Sequence, residues 1–200
     1  MLRLFLSDRK GVITWLLTQI GLLIATGILL ASIASLAFYS DWQKEAEAKE
    51  IASKLATAIE SMDLKEFPER MAYIFPDKDY RYEVYISTDY ITVKRYDGKI
   101  NKKIVAREEL LINPWPNPQL IGEDSVKGFY NYLESIYKPG YDGSSPQKMI
   151  QKEVIEDAFE DKRKKLAMDP FNVDLNKPLY IEKVFVYTNG GKEEYVILYQ

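Results

Sequence analysis

The stretch Val12–Tyr39 reads VITWLLTQIGLLIATGILLASIASLAFY, and no charged residue occurs anywhere from Gly11 to Ser40. As an α-helix these 28 residues span roughly 42 Å, against ~30 Å of hydrocarbon in a bilayer. The apolar region of a cleavable secretory signal is shorter, about 7–15 residues, and ends in a small-residue cleavage site. The run therefore predicts a retained transmembrane helix over residues 12–40.

The flanks predict its orientation. Before the run stand Arg3, Arg9 and Lys10 against Asp8, a balance of +2; after it the chain is acidic, and the net charge overall is -3. Basic residues stay on the cytoplasmic side. Residues 1–11 are thus expected as a cytoplasmic basic leader, with the C-terminal part extracytoplasmic. Trp15 at one end, and Phe38, Tyr39 and Trp42 at the other, suit interfacial anchoring.

Nothing between Tyr39 and Met62 breaks a helix: Pro and Gly are absent, and Ala, Glu and Lys are frequent. Ile51, Leu55, Ile59 and Met62 share one helical face. An amphipathic extension over 41–62 is expected, making one helix of roughly 51 residues and ~75 Å. Within the apolar half, Thr14, Thr18, Gly21, Ala25, Ile28, Ser32 and Ser35 recur at alternating spacings of four and three. Gly27, Ala31 and Ser35 add a second small-residue run. Lipid tails give helices no hydrophobic reason to associate, so close approach through small residues is what favours contact. These residues are the candidate helix-packing seam, with Ala48, Ala52 and Ala56 as its expected continuation.

Residues 63–200 are long enough for a modest core. Tyr80–Ile86, Tyr90–Tyr96 and Ile100–Ala106 alternate apolar and polar residues around Ser87-Thr88-Asp89 and Asp97-Gly98, which predicts a three-stranded meander. Leu179–Tyr187 and Glu194–Tyr199 flank Thr188-Asn189-Gly190-Gly191, a hairpin turn. A helical insertion is expected over 112–178: an irregular Asn113–Pro118, a helix over Asp124–Tyr137, and a helix from Ser145-Pro146 to about Met168. The expected class is α+β: a long N-terminal transmembrane and amphipathic helix followed by a small antiparallel β-sheet head with an α-helical insertion.

Composition narrows the chemistry. There is no Cys and no His, which removes disulfides, zinc–thiolate sites and every Ser-His or Cys-His arrangement. The charge balance lacks the basic excess of a nucleic-acid binder. Glu153, Glu156, Asp157, Glu160 and Asp161 crowd one segment, but they alternate with basic residues and read as a solvated helix face. A membrane-tethered hydrolase would have to rest on Glu153 or Asp157. Asn172, Asp174 and Asn176 have the spacing of the first calcium-loop ligands without the turn Gly or the twelfth-position Glu. Ser144 and Ser145 lack a G-x-S-x-G elbow, and no Asn begins an N-x-[ST] site. No catalytic residue, metal or cofactor is assigned, and the chain is read as a non-enzyme.

A short basic leader, an apolar helix continuing as an amphipathic one, and a β-rich head resemble the type IV pilin family, including archaeal pilin-like proteins. The resemblance rests on Arg9-Lys10-Gly11, similar to the site cut by prepilin peptidases, followed by the apolar run from Val12. It implies processing at Arg9, Lys10, Gly11 and Val12, then self-association or contact with other pilin-like proteins through the N-terminal helix. Many members carry Glu at the fifth position after the cut, where this chain has Leu16. The alternative is a membrane-anchored binding or sensor module that never polymerises.

Overall fold

The computed structural model describes residues 2–97, 102–116 and 125–200, with side chains apart from those of residues 2–11, 37 and 102. The chain divides into two units, residues 1–44 and 45–200. Both contain part of one helix, α1 (Leu2–Asp63). It starts at Leu2 rather than the expected Val12: Leu, Arg and Lys are good helix formers and no Pro interrupts them. It ends one residue from the expected Met62.

In the first unit the helix stands alone. Every side chain described from Val12 to Tyr39 is exposed, and the most apolar window is wholly unburied. The core helix of a water-soluble domain would be mostly covered.

The second unit is built from α1 residues 45–63 and the following elements: β1 (Arg70–Tyr73), β2 (Tyr82–Ile86), β3 (Tyr90–Asp97), β4 (Lys102–Glu109), β5 (Trp115–Pro116), α2 (Ser125–Ile136), α3 (Lys152–Met168), β6 (Phe171–Val173), β7 (Leu179–Thr188) and β8 (Gly191–Tyr199). The strands form two sheets, not the single one expected, in orders β1-β7-β8-β5 and β4-β3-β2-β6. All pairs are antiparallel except β5 with β8. The meander β2-β3-β4 follows the expected alternation: Tyr82, Val84, Ile86, Ile91, Val93, Ile104 and Ala106 are buried. Gly98 and Ile100, assigned to a turn and a strand, and residues 117–124 lie outside the described residues.

One core holds Ala48, Ile51, Ala52, Leu55, Ala56, Ile59 and Met62 of α1, packed with β2 and β3 and with Leu179, Ile181, Val196 and Leu198. A second holds Trp115, Phe129, Leu133, Ile150, Ile155, Val184, Val186, Ile197 and Tyr199. Alternate residues of β7 and β8 thus enter different cores, so this hairpin is buried on both faces. That explains the nearly unbroken apolar run Tyr195–Tyr199, typical of a strand covered on both sides.

Three expectations need correction. Ala48, Ala52 and Ala56 do not extend an intermolecular seam, because they fill the second unit's own core. The helix expected from Ser145-Pro146 is only a 3-10 turn over Pro146–Lys148, and α3 begins at Lys152. Between them the Ile150 N–H donates to the Tyr187 oxygen at 3.1 Å, and its carbonyl accepts from Asn189. A backbone committed to β7 cannot also be helical. Finally, the insertion is not purely helical. Trp115–Pro116 pairs in parallel with Ile197–Leu198, and β6 closes the meander sheet through Val84–Ile86.

Candidate functional site

The sequence-assigned seam lies entirely in the first unit. Thr14, Thr18, Gly21, Ala25, Gly27, Ala31, Ser32 and Ser35 are all exposed. A β-carbon built on Gly21 or Gly27 meets nothing within 4 Å. The hydroxyls are satisfied locally: Thr18 donates to the Thr14 carbonyl at 2.9 Å, Ser32 to Ile28 at 2.8 Å, and Ser35 to Ala31 at 2.8 Å. Thr26 does the same to Leu22. Each side chain thereby spends its donor on its own helix, the arrangement that a medium without water requires. The seam is left as a low, small-residue surface. Tyr39 and Trp42 pack at 6.1 Å between ring centroids, and Trp15 is exposed near the other end. Arg9, Lys10 and Gly11 lie within α1, with their side chains outside the described ones; Val12 is exposed.

The second unit carries a cleft of about 430 Å³ that sequence reading missed. Asp63 reaches it from the end of α1, Glu156, Phe159, Glu160 and Arg163 from α3, and Glu193, Glu194, Tyr195 and Val196 from β8. Of the five carboxylates singled out on α3, two face it. Asp157 and Asp161 instead line a shallow depression with Tyr132 and Ile136. Most of the cleft's charges are already matched. Glu193 accepts from the Tyr195 hydroxyl at 2.6 Å and pairs with Lys152 at 3.1 Å. Burial pushes the Glu193 carboxyl up, but these donors outweigh it and hold it below the usual range. Arg163 pairs with Asp89 and Glu160 with Lys164. Phe159 stacks on Tyr195 at 4.7 Å, which shuts much of the aromatic surface away.

Beside the cleft lies a buried cation. Lys183, 1% exposed, donates from Nζ to the carbonyls of Asp63 and Lys65, both at 2.5 Å, and pairs with Glu194 at 2.6 Å. The hydrogen bond from Lys183 is the main reason Glu194 sits below its ordinary range. The last carbonyls of a helix lack intrahelical donors and carry partial negative charge. Lys183 satisfies both needs at the Asp63 carbonyl, and its bond to the Lys65 carbonyl ties down the loop that follows the helix.

The remaining sequence candidates have local explanations. Asp174 accepts from Asn176 N–H and Nδ2 and pairs with Lys177. Ser144 donates to Asp142, which also pairs with Lys148. Among the described residues no group of three or more carboxylates is placed to hold a metal ion. Compared with known proteins, the chain matches no family model, no curated protein and no solved structure.

Proposed function

We propose that the chain is a single-span membrane protein whose β-rich second unit is extracytoplasmic, and that it serves as a pilin-like structural or assembly component of a surface filament. The observation that carries this reading is the charge-free helix over Val12–Tyr39, whose described side chains are all exposed. Leaving so much apolar surface in water is strongly unfavourable, at about 25 cal/mol per Å². A bilayer, or a bundle of like helices, removes that cost. The seam through Thr14, Gly21, Ala25 and Ser35 supplies the packing surface, and the basic residues before Val12 favour a cytoplasmic N-terminus.

Two measurements test the proposal. Full-length chain made in cells fractionates with membranes; recovery in the aqueous fraction without detergent overturns the anchoring. Mass analysis of the native N-terminus then separates the two kinds of anchored protein. A terminus at Val12 supports pilin-type processing after Arg9-Lys10-Gly11, and one at Met1 supports the anchored module that does not polymerise.

A further inference from the structure

The open edge of the meander sheet carries an inference independent of the membrane reading, because it stands on the second unit alone. β4 is the outermost strand of its sheet. The Leu110 N–H donates to the Asp89 oxygen at 2.9 Å, one step beyond the Tyr90–Glu109 pair of the β3–β4 register. Hydrogen-bonded and non-bonded pairs alternate along an antiparallel ladder. Ile104, Ala106 and Glu108 therefore bond inward to β3. Lys103, Val105, Arg107 and Glu109 turn their N–H and C=O groups to the open side.

The strand reads KKIVAREE, basic at its start and acidic at its end. Charges on an edge strand usually repel a second strand. This order does the reverse for one particular partner. Antiparallel alignment with another copy brings the basic end of each β4 against the acidic end of the other. A two-fold axis through Ala106 sets Lys103 opposite Glu109 of the second copy, and Val105 opposite its Arg107. A two-fold axis through Val105 would instead oppose Lys103 to Arg107, which like charge disfavours. Among the described residues neither Lys103 nor Glu109 has an ion-pair partner, and Val105 is 47% exposed. The second copy supplies the missing charge partners, and an Arg stem over the open Val.

We propose that β4 is a homotypic docking edge: two copies pair through antiparallel β4 strands about a two-fold axis at Ala106, closed on each side by a Lys103–Glu109 ion pair. The chain has no cysteine, so Ala106→Cys gives a unique probe in the full chain in detergent micelles. Opposed α-carbons at a non-hydrogen-bonded pair lie about 4.5 Å apart, within the span of a disulfide. Mild oxidation is expected to give a linked dimer. Adding Lys103→Glu slows its formation about tenfold, since both cross-strand pairs become repulsive, and adding Glu109→Lys as well restores it. Ala106 is itself buried, 5% exposed, so sedimentation of the cysteine-free chain is run alongside. With native circular dichroism in every variant, an assembly mass that Lys103→Glu does not lower, or linking indifferent to Lys103→Glu, overturns the proposal. In the Gly21→Leu, Ala106→Cys background, where contact between apolar helices is weakened, linking persists and still slows about tenfold on adding Lys103→Glu. Linking lost on Gly21→Leu, or no longer slowed there by Lys103→Glu, would assign the contact to the apolar helix and overturn edge pairing too.

Discussion

At the scale of single residues, the second unit depends on a few side chains whose partners are far away in sequence. Lys183 closes the end of α1 through the Asp63 carbonyl and holds the Lys65 carbonyl in the loop beyond it. Lys183→Met keeps the buried stem but leaves those carbonyls without a donor, so denaturant unfolding should show a loss of about 2 kcal/mol. Gly143 has φ +74, and a β-carbon there would lie 2.6 Å from Val186 Cγ1. Gly143→Ala should therefore destabilise by about 1–3 kcal/mol, read from the melting temperature. The tyrosines set an alkaline limit. Burial pushes Tyr82 and Tyr130 each up to about 12 from the ordinary 10.0. Their hydroxyls donate to the Pro76 and Phe185 carbonyls. A raised folded value means the native state holds the proton more tightly. This contribution to stability is fully present below pH 10.0 and is lost as pH rises through about 12. Unfolding followed with the phenolate absorbance should show that window, and Tyr130→Phe should narrow it.

At the scale of elements, α1 is one helix with two different surfaces. From Ala48 to Met62 a stripe is buried against strands; from Val12 to Tyr39 the described side chains are open. The same kind of substitution should therefore act differently in the two halves. Ala52→Leu overfills a closed core and is expected to cost about 1–3 kcal/mol in unfolding experiments. Gly21→Leu meets no atom of its own chain, so it should leave the unfolding transition unchanged while weakening cross-linking between helices in membranes. Equal effects of the two changes on unfolding would argue that the apolar half is packed within the chain. Other elements differ in how local their determinants are. The β7–β8 hairpin was legible because Asn189-Gly190 is a turn signal wherever it falls, although the positive φ, +123, falls at Gly191, the first residue of β8, and not at Gly190. The true start of α3 was not legible. Ser145-Pro146 is a sound helix start taken locally, but Ile150 pairs with Thr188, a contact that no window of neighbouring residues contains.

At the scale of the molecule, the division at residue 44 has a consequence for folding. Every member of both cores is numbered 48 or higher. A fragment of residues 45–200 should fold in aqueous buffer without detergent and unfold in one cooperative step. A fragment of 64–200 lacks Ile51, Leu55, Ile59 and Met62, which are all buried. Removing so many large side chains exposes an apolar face of both sheets' shared core and should leave it without a cooperative transition. Sedimentation and thermal melts of the two fragments check both statements.

Sequence alone determined the apolar helix, its continuation to about Met62, the meander and the terminal hairpin. Each of these is written in periodicity, charge and turn residues that act over a few positions. Tertiary structure decided the rest. It turned Ala48, Ala52 and Ala56 inward, because small residues let a helix approach a sheet as readily as another helix. It split the strands into two sheets, with β7 and β8 buried on both faces. It also brought Asp63, Glu156, Glu160 and Glu193 to one cleft and Lys183 to the end of α1. Burial and cross-strand contact are properties of which segments meet, and that is fixed by the whole chain competing for a limited apolar interior.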